Sequence, residues 1–523
     1  MSQWILIAGA ALVGLSAWLA SIGFQGRKHV LGIDLGTTFS VVAVKRNGTV
    51  EVIPNHETGK LLTPSVVSYV KNAMTDPERK YMKFDKEFAH FLVGEKALER
   101  RAASPSDTIY HAKRFIGKSV FETTAEIAEH PFRIGNRDVN STELLRSLAK
   151  DLGAPGATRS EDQFSQTVEA LAECVEEART SRTTTTIAAT GETMQSTTRA
   201  TADDVAATAH DSQDGAFAFL DEDDSTIKNA GALAACLKAK RKTPMPAAVE
   251  EDSTYQAVRE VVFNHTQAEF RVLDTKWRTP VDIGTAIVKK LRDAAETYLG
   301  HGVADCVICV PAKFGKLEIQ KTHEVFSKAG FRVARIMDEP TAAAVAYGLH
   351  KSATGKTVIV YDLGGGTLDA SLLHISTKAV NVLGTSGDDH LGGSDFDHAM
   401  LHLLQQKCAA TEHRETANPE TAENLKKQFS SEQSASICGT SVTRTEFEET
   451  AKELFARALA PVEQVLSDQM MKPKDIHHVV LVGGASRMPR IRAMLADLFG
   501  QEKLNMDLDP DLTVAIGAAN IDQ

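Results

Sequence analysis

The chain lacks an excess of basic residues. Its 58 lysines and arginines are outnumbered by 69 aspartates and glutamates, which gives a formal net charge of −11. Proteins that bind nucleic acid usually present a basic face, so we expect no nucleic-acid partner. The chain has 523 residues, 42% of them hydrophobic. A chain of this size and composition can bury a large core in more than one domain.

Cysteine is scarce as well, with six residues in the whole chain. Cys306 and Cys309 have the C-x-x-C spacing of redox and metal sites, but they lie in the apolar run 304–310. In a strand, residues three apart point to opposite faces. We therefore interpret this pair as thiols of the core. The six cysteines together are poor evidence for an oxidising compartment.

Charged residues are absent from positions 1–26, and the apolar run from Trp4 to Phe24 is long enough to cross a bilayer. We predict a signal peptide or a membrane anchor over 1–26. The small residues Ser21 and Gly23 suit cleavage by signal peptidase. Arg27 and Lys28 follow the run and favour a cytosolic body by the positive-inside rule. Glycosylation sequons, which matter only in a lumenal protein, begin at Asn47, Asn140 and Asn264.

The strongest chemical signal is the segment from Asp362 to Asp369, which lies between the β-rich runs 357–361 and 370–375. This pattern predicts the turn of a β-hairpin. Gly364, Gly365 and Gly366 allow backbone N–H groups to approach an anion closely, and Thr367 adds a hydroxyl donor. Asp362 and Asp369 flank the turn, and carboxylates beside phosphates suit hydrated Mg²⁺. The segment therefore predicts a phosphate-binding hairpin.

A second copy of this pattern occurs near the start of the chain. Asp34-Leu35-Gly36-Thr37-Thr38 lies between the apolar runs 30–33 and 39–44. One glycine-rich turn is a weak signal, but two matched copies far apart in sequence indicate a duplicated architecture. We expect two similar lobes whose phosphate hairpins face each other across a bound nucleotide.

A third element has the pattern of a nucleotide pocket. Residues 478–482 predict a buried strand, Gly483-Gly484-Ala485-Ser486 a turn, and Pro489 the start of a helix to about Phe499. Glycines in this turn allow a flat adenosine to approach the backbone. Arg487 is then expected to lie against the base.

Together these motifs resemble the seventy-kilodalton heat-shock protein family, over about Lys28 to Asn520 apart from one interruption. The resemblance is carried by 32–38, 338–344, 359–369 and 480–489. It implies an α/β protein with the actin-like ATPase fold, which is ribonuclease H-like, and with duplicated phosphate-binding hairpins. The implied lobes cover 27–352 and 353–523. The low-complexity interval 139–263 is predicted to be a largely flexible insertion in the first lobe.

The resemblance also implies roles for individual residues. The catalytic set is Asp34, Lys113, Glu339, Asp362, Thr367 and Asp369, with Asp34 and Asp362 holding Mg²⁺ through water. Glu339 and Pro340 are expected to open a helix over 341–349. The nucleotide-binding set is Gly36, Thr37, Thr38, Phe39, Gly364, Gly365, Gly366, Gly392, Gly393, Glu423, Lys426, Lys427, Ser430, Gly483, Gly484, Ser486, Arg487 and Asp511. The implied cofactors are ATP or ADP, Mg²⁺ and K⁺.

Within the family, the chain looks most like the microsomal branch, which has a hydrophobic leader and no peptide-binding domain. This implies a slow Mg²⁺-dependent ATPase core that acts in protein folding or quality control with exchange factors or co-chaperones. The expected location is the endoplasmic reticulum, lumenal or membrane-associated, and a cytosolic body with an anchor is the alternative. Two other functions remain open, a small-molecule kinase and a nucleotide-gated scaffold with little turnover. The retained Asp, Lys and Thr positions argue against the scaffold, whereas Lys427 and Ile319, which depart from the family pattern, keep it open.

Overall fold

The computed structural model describes Gly14 and residues 29–71, 83–85, 89–119, 123, 130–135, 267–273, 276–351, 355–376, 379–409 and 414–520. The predicted leader, apart from Gly14, and the predicted insertion lie outside these residues and remain predictions. Within the described ranges, no helix is both long enough and apolar enough to cross a membrane.

The strands are β1 (Val30–Leu35), β2 (Phe39–Arg46), β3 (Thr49–Val52), β4 (Thr63–Pro64), β5 (Val66–Val70), β6 (Lys83–Asp85), β7 (Ala89–Val93), β8 (Thr108–Tyr110), β9 (Arg133–Gly135), β10 (Glu269–Val272), β11 (Lys276–Arg278), β12 (Asp305–Val310), β13 (Arg332–Asp338), β14 (Lys356–Leu363), β15 (Leu368–Ile375), β16 (Val380–Asp388), β17 (Ser434–Ile437), β18 (Thr440–Thr443), β19 (His478–Val482) and β20 (Leu504–Asn505).

The α-helices are α1 (Glu95–Glu99), α2 (Pro280–Leu299), α3 (Lys316–Lys328), α4 (Glu339–Ala346), α5 (Gly393–Cys408), α6 (Pro419–Gln428), α7 (Arg444–Thr450), α8 (Lys452–Asp468), α9 (Pro489–Phe499) and α10 (Thr513–Ala519). The chain divides into two compact units. Unit 1 comprises Met1–Ser65, Gly284–Phe314 and His323–Gln523, and unit 2 comprises Val66–Ile283 and Gly315–Thr322.

Two sheets of unit 1 share the same topology over five strands. The first has the order β13-β12-β1-β2-β3, with β4 also paired to β2, and the second has the order β20-β19-β14-β15-β16. In each sheet the first three strands are parallel, and the next two are joined antiparallel as a hairpin and its neighbour. The repeat of strand order and direction confirms that the two phosphate hairpins predicted from sequence are duplicated elements.

Small residues allow the helices of unit 1 to approach the backbone of the sheets and of each other. A Cβ atom at Gly32 of β1 would overlap backbone atoms of α10, and one at Gly517 of α10 would overlap the carbonyl of Ala342 in α4. The surrounding core is formed by aliphatic side chains of both sheets, such as Val307 and Val358. Because these contacts are backbone to backbone, larger residues at either glycine would separate the elements.

Unit 2 is built from the sheets β6-β7-β5-β8 and β11-β10-β9. Phe115, Phe132 and Phe270 pack edge to face at its centre. The 3₁₀ helix Ala112–Phe115, which carries Lys113, follows His111 in the left-handed region with a φ of 58°. A non-glycine residue in this region is uncommon and needs support from its surroundings. His111 has that support, since it is packed against Tyr110 and His130.

Several local predictions from sequence are confirmed. The strand 478–482 and the helix 489–499 have the predicted bounds. Cys306 and Cys309 are both buried and do not form a disulfide, as expected for thiols of the core. The helix expected over 341–349 is shifted, because α4 begins at Glu339 and ends at Ala346. It ends there because Gly348, with a φ of 68°, takes the left-handed conformation that terminates helices.

A disulfide joins Cys408, at the end of α5, to Cys438, in the turn between β17 and β18. The sequence did not reveal this pair, since the two cysteines are 30 residues apart and have no motif spacing. The bond ties the small hairpin to the helix that follows the second phosphate turn.

Candidate functional site

The two phosphate turns meet inside unit 1. The first turn connects β1 and β2, and the second connects β14 and β15. A Cβ atom at Gly365 in the second turn would overlap the hydroxyl oxygen of Thr38 in the first. The Thr38 hydroxyl oxygen is itself buried without a hydrogen-bond partner among the described residues. Buried hydroxyl groups are rarely left unsatisfied, so this one marks a position prepared for a ligand.

Backbone contacts and Ser65 fix the conformation of the first turn. A Cβ atom at Gly36 would overlap the carbonyl of Phe39, so only glycine fits this position. The Ser65 hydroxyl donates to the Gly36 carbonyl at 2.8 Å, and the Ser65 amide donates to the Thr38 carbonyl at 2.8 Å. Asp34 is half-buried near the end of β1. The Thr37 and Thr38 side chains are also half-buried, beside this fixed backbone.

Asp362 and Asp369 lie directly opposite each other in the β14–β15 pairing. Both carboxylates line a cleft of about 270 Å³, counting the solvent at its open side. The other residues that line this cleft are Pro311, Ala312, Glu339, Pro340, Val360, Ser371 and Thr385. Glu339 therefore shares the cleft with both aspartates.

Glu339 is the first residue of α4, and Asp338 precedes it at the N-cap. Burial, and to a lesser degree the neighbouring Glu339 carboxylate, raises the pKa of Asp338. The N-terminus of a helix favours negative charge, which helps α4 to hold two adjacent carboxyl groups at the cleft.

Gly392 and Gly393 pack against the second phosphate turn. A Cβ atom at Gly392 would overlap the backbone nitrogen of Gly366. The Gly393 amide donates to the Gly364 carbonyl at 2.9 Å, and the Ser394 hydroxyl donates to the Gly365 carbonyl at 2.7 Å. These hydrogen bonds hold the second phosphate turn from its outer side. Ser394, which the sequence did not predict as a site residue, therefore helps to support this turn.

Of the residues predicted for the adenosine, Lys426 of α6 lies near the turn after β19. A Cβ atom at Gly393 would lie 3.2 Å from the Lys426 ammonium nitrogen and 3.5 Å from the Ala485 Cβ atom in that turn. The Lys426 ammonium donates to the Gly393 carbonyl at 2.7 Å and pairs with Asp397 at 2.7 Å. Buried Lys426 therefore connects α6 to the start of α5 and, through Gly393, to the second phosphate turn.

The neighbouring positions on α6 face solvent more. Lys427 pairs with Glu423 one helical turn away at 2.5 Å, and both side chains are largely exposed. Ser430 is exposed and lies two residues beyond the end of α6.

The turn after β19 packs closely against Leu363 and Asp511. A Cβ atom at Gly483, where φ is 76°, would overlap the Leu363 carbonyl, and one at Gly484 would lie 2.9 Å from an Asp511 carboxylate oxygen. Buried Ser486 donates to the Gly483 carbonyl at 2.7 Å. The Arg487 guanidinium pairs with Asp511 at 2.9 Å and also with Asp509. Two carboxylates therefore orient the arginine that was predicted for the base.

Lys113 belongs to unit 2, where it is half-buried on the 3₁₀ helix that follows His111. The other predicted catalytic residues, Asp34, Glu339, Asp362, Thr367 and Asp369, belong to unit 1.

Lys313 is the residue of the site that sequence reasoning missed. Its ammonium lies 3.0 Å from an Asp369 carboxylate oxygen and also pairs with Asp389. No pattern in the sequence announces this contact, because Lys313 and Asp389 are 76 residues apart and come from separate elements. A sequence motif can reveal a lysine and an aspartate that are neighbours in the chain. The contacts of Lys313 with Asp369 and Asp389 form only because the fold brings three separate segments together.

This geometry suits a phosphate ester with a divalent cation. The two glycine-rich turns meet at Thr38 and Gly365. The Thr38 hydroxyl is buried and has no hydrogen-bond partner among the described residues. Carboxylate side chains line the adjacent cleft. Hydrated Mg²⁺ takes few protein ligands and is held mainly by carboxylates and phosphates. The residues present therefore fit a nucleotide with Mg²⁺.

Comparisons with known proteins point in one direction. A family model described as Hsp70 protein matches residues 30–190 and 237–522. The Heat shock 70 kDa protein of Ajellomyces capsulatus is 29% identical over 511 residues, which are 94% of this chain and 52% of that protein. Heat shock 70 kDa protein BIP3 of Oryza sativa subsp. japonica is 28% identical, over 98% of this chain and 59% of that protein.

A further relative is the Chaperone protein dnaK of Cyanidioschyzon merolae, 28% identical over 94% of this chain and 61% of that protein. The chain thus spans between 52% and 61% of the length of these three relatives.

Proposed function

The chain belongs to the Hsp70 family, and on that premise we propose that it is a chaperone ATPase core that binds ATP or ADP with Mg²⁺ and hydrolyses ATP slowly. The observation that carries this proposal is the meeting of the two glycine-rich turns at Thr38 and Gly365. Two phosphate-binding turns that face each other suit a polyphosphate chain better than a single phosphate group.

In this proposal Asp34 and Asp362 would hold Mg²⁺ through water, with help from Glu339. The ion would supply positive charge that offsets the charge of the transferred phosphate. Asp369 and Thr367 orient the attacking water and the γ-phosphate. The Lys113 ammonium offsets the negative charge that develops at the γ-phosphate.

We assign the remaining predicted residues to the nucleotide. Backbone groups of 36–39 and 364–366 contact the phosphates, supported by Gly392 and Gly393. The adenosine lies between α6 and the turn after β19. Lys426 and Arg487 are held in place there by Asp397 and Asp511. An ammonium at Lys427 lacks the planar group that stacks on a base, so we expect weaker stacking than in relatives with arginine.

Two alternatives use the same site. A small-molecule kinase would transfer the γ-phosphate to a hydroxyl acceptor, and a nucleotide-gated scaffold would bind ATP with little turnover. Steady-state ATP hydrolysis by the purified chain, measured with and without sugar acceptors, distinguishes the three. Slow hydrolysis that does not depend on an acceptor supports the ATPase. Acceptor-dependent turnover would establish the kinase, and tight ATP binding without turnover would establish the scaffold.

We further propose that the chain belongs to the microsomal branch and functions in the endoplasmic reticulum, with exchange factors or co-chaperones reading its nucleotide state. The lobes 27–352 and 353–523 are part of this proposal. Two observations support an oxidising lumen. Cys408 and Cys438 form a disulfide, and structural disulfides are rare in the cytosol. The sequon residue Asn47 is exposed in the turn between β2 and β3.

Protease digestion of sealed microsomes tests this location. A lumenal body is protected until detergent is added, and it shifts in mass with endoglycosidase. The Asn47→Gln variant should lose part of that shift, which assigns a glycan to the exposed turn. Digestion of the whole body without detergent would place it in the cytosol and leave residues 1–26 as an anchor in the opposite orientation.

A further inference from the structure

Lys313 brings a positive charge to the second phosphate turn from a separate part of the chain. It lies in the segment that follows β12, and its ammonium contacts Asp369 at the start of β15 and Asp389 just after β16. Its side chain is 32% exposed, and that of Asp369 is 22% exposed. The ammonium is therefore held by two carboxylates in a partly buried position rather than extended into solvent.

The charges around Asp369 explain why a cation is needed there. Asp362 lies opposite it in the strand pairing, and Glu339 shares the same cleft. Burial, and to a lesser degree the Glu339 and Asp389 carboxylates, raise the pKa of Asp369, and the Lys313 ammonium opposes this rise without cancelling it. Burial lowers the pKa of Lys313, but Asp369 and Asp389 together raise it above its ordinary value. The lysine therefore stays protonated and offsets part of the negative charge around Asp369.

We propose that Lys313 is a positioning residue whose ammonium is a built-in cation, which pairs with Asp369 and orients it at the phosphate turn. This inference rests on the proposed function, because it concerns a carboxylate assigned to the attacking water. The ammonium acts through Asp369, and no contact with a substrate atom is assigned to it.

A consequence concerns monovalent cations. The family resemblance implies K⁺ as a cofactor, yet the Asp369 carboxylate already has a cation supplied by the chain. An ion from solution that required this carboxylate would have to displace a lysine that is also bound to Asp389. The residues present at Asp369 therefore do not fit a K⁺ ion, and we expect this chain to need no K⁺ there.

The test compares three proteins by thermal unfolding without nucleotide: the full chain, Lys313→Met and Lys316→Met. Lys316 is an exposed lysine three residues further along, and it serves as the matched control. Each protein is melted in potassium chloride and in choline chloride at equal ionic strength. Choline is too large to enter a carboxylate cleft, so a difference between the salts reports a K⁺ ion that replaces the lysine.

The full chain and Lys316→Met should melt at the same temperature in both salts. Lys313→Met should melt lower in choline by roughly 3 °C or more, since about 1 kcal/mol shifts the midpoint by roughly 2–4 °C in chains of 150–250 residues. Potassium should recover most of that loss. Equal melting of Lys313→Met in both salts, or K⁺-dependent melting of the full chain, would overturn the proposal.

Two further variants keep the test decisive if Lys313→Met fails to fold. Adding Asp369→Asn to Lys313→Met removes the carboxylate that needs the cation, so the double variant should fold without any preference between the salts. Lys313→Arg retains the charge and should behave like the full chain. A salt preference in either variant would contradict the assignment.

ATP turnover provides the functional readout. The full chain should hydrolyse ATP at rates within twofold of each other in the two salts. Lys313→Met should lose about tenfold or more in choline and recover in potassium, because general-base positioning is worth roughly a hundredfold or more. If the chain does not hydrolyse ATP at all, the proposed function fails, and the melting experiment still decides the role of Lys313.

Discussion

Gly365 lies so close to Thr38 that a Cβ atom on the glycine would overlap the threonine hydroxyl oxygen. The two residues belong to turns that are more than 300 positions apart in sequence. Their contact places the two glycine-rich turns at one point of unit 1. A side chain does not fit at Gly365, and the buried Thr38 hydroxyl has no hydrogen-bond partner among the described residues.

Gly365→Ala should therefore separate the two turns. Overpacking of this kind usually costs about 1–3 kcal/mol, and we expect a lower free energy of unfolding together with a loss of ATP affinity. Isothermal titration with ATP and thermal melting measure the two effects. Gly302→Ala is the control, because a Cβ atom there approaches nothing nearer than 3.8 Å. Wild-type affinity in Gly365→Ala would show that the turns do not hold the nucleotide jointly.

Substitution of the proposed catalytic groups should affect hydrolysis far more than ATP binding. For Asp34→Asn, Lys113→Ala and Asp369→Asn we expect turnover lower by roughly a hundredfold to ten-thousandfold, the usual range for general-base and charge-positioning effects. Single-turnover kinetics and equilibrium binding separate the two quantities. Asp497→Asn, at an exposed position of α9, should leave both unchanged. Turnover within twofold of wild type in all three variants would remove this assignment of the site.

The stability of unit 2 should fall in acid because of His111. Burial, together with the nearby Arg114, His130 and Arg101, lowers its pKa from 6.5 to about 3. A depressed pKa means that the folded state binds the proton less tightly than the unfolded chain does. Its contribution is therefore complete above about pH 6.5 and is lost as the pH falls toward 3. The limit is about 5 kcal/mol, since one pKa unit corresponds to about 1.4 kcal/mol.

The variant His111→Asn tests this dependence, because asparagine tolerates the left-handed backbone at this position. Chemical denaturation between pH 7 and pH 4 should show a shallower loss of stability than in the wild type. His56→Asn, an exposed histidine, serves for comparison and should keep the wild-type slope. An unchanged slope in His111→Asn would assign the acid sensitivity to other groups.

Loss of the disulfide should destabilise unit 1. A bond that closes a loop of 30 residues restricts the unfolded chain by about 3–4 kcal/mol on the entropic account. The double variant Cys408→Ser, Cys438→Ser should therefore melt lower than the oxidised protein. Dithiothreitol should lower the melting temperature of the wild type and leave the double variant unchanged. A wild type that does not respond to the reductant would show that the bond adds no stability.

The sequence of this protein predicts its local structural elements. Apolar runs joined by Asp-Leu-Gly turns specify the two hairpins, because β-branched residues favour the flanking strands and close contacts at Gly36 and Gly365 leave no room for a side chain. Pro489 fixes the start of α9 in the same way. Each of these signals acts over a few neighbouring residues, so the sequence alone is enough to predict the turn or the helix start.

The contacts that complete the site depend on the tertiary structure. Thr38 meets Gly365, Lys313 pairs with Asp369 and Asp389, and Cys408 binds Cys438 only because the folded chain brings distant segments together. The separations between these residues in the sequence follow no periodicity and match no known motif. Lys426 shows the same limit, because its partner Asp397 lies on another helix. Residue type and spacing determined which turns form, whereas packing of the two sheets and their helices decided which charges neutralise each other.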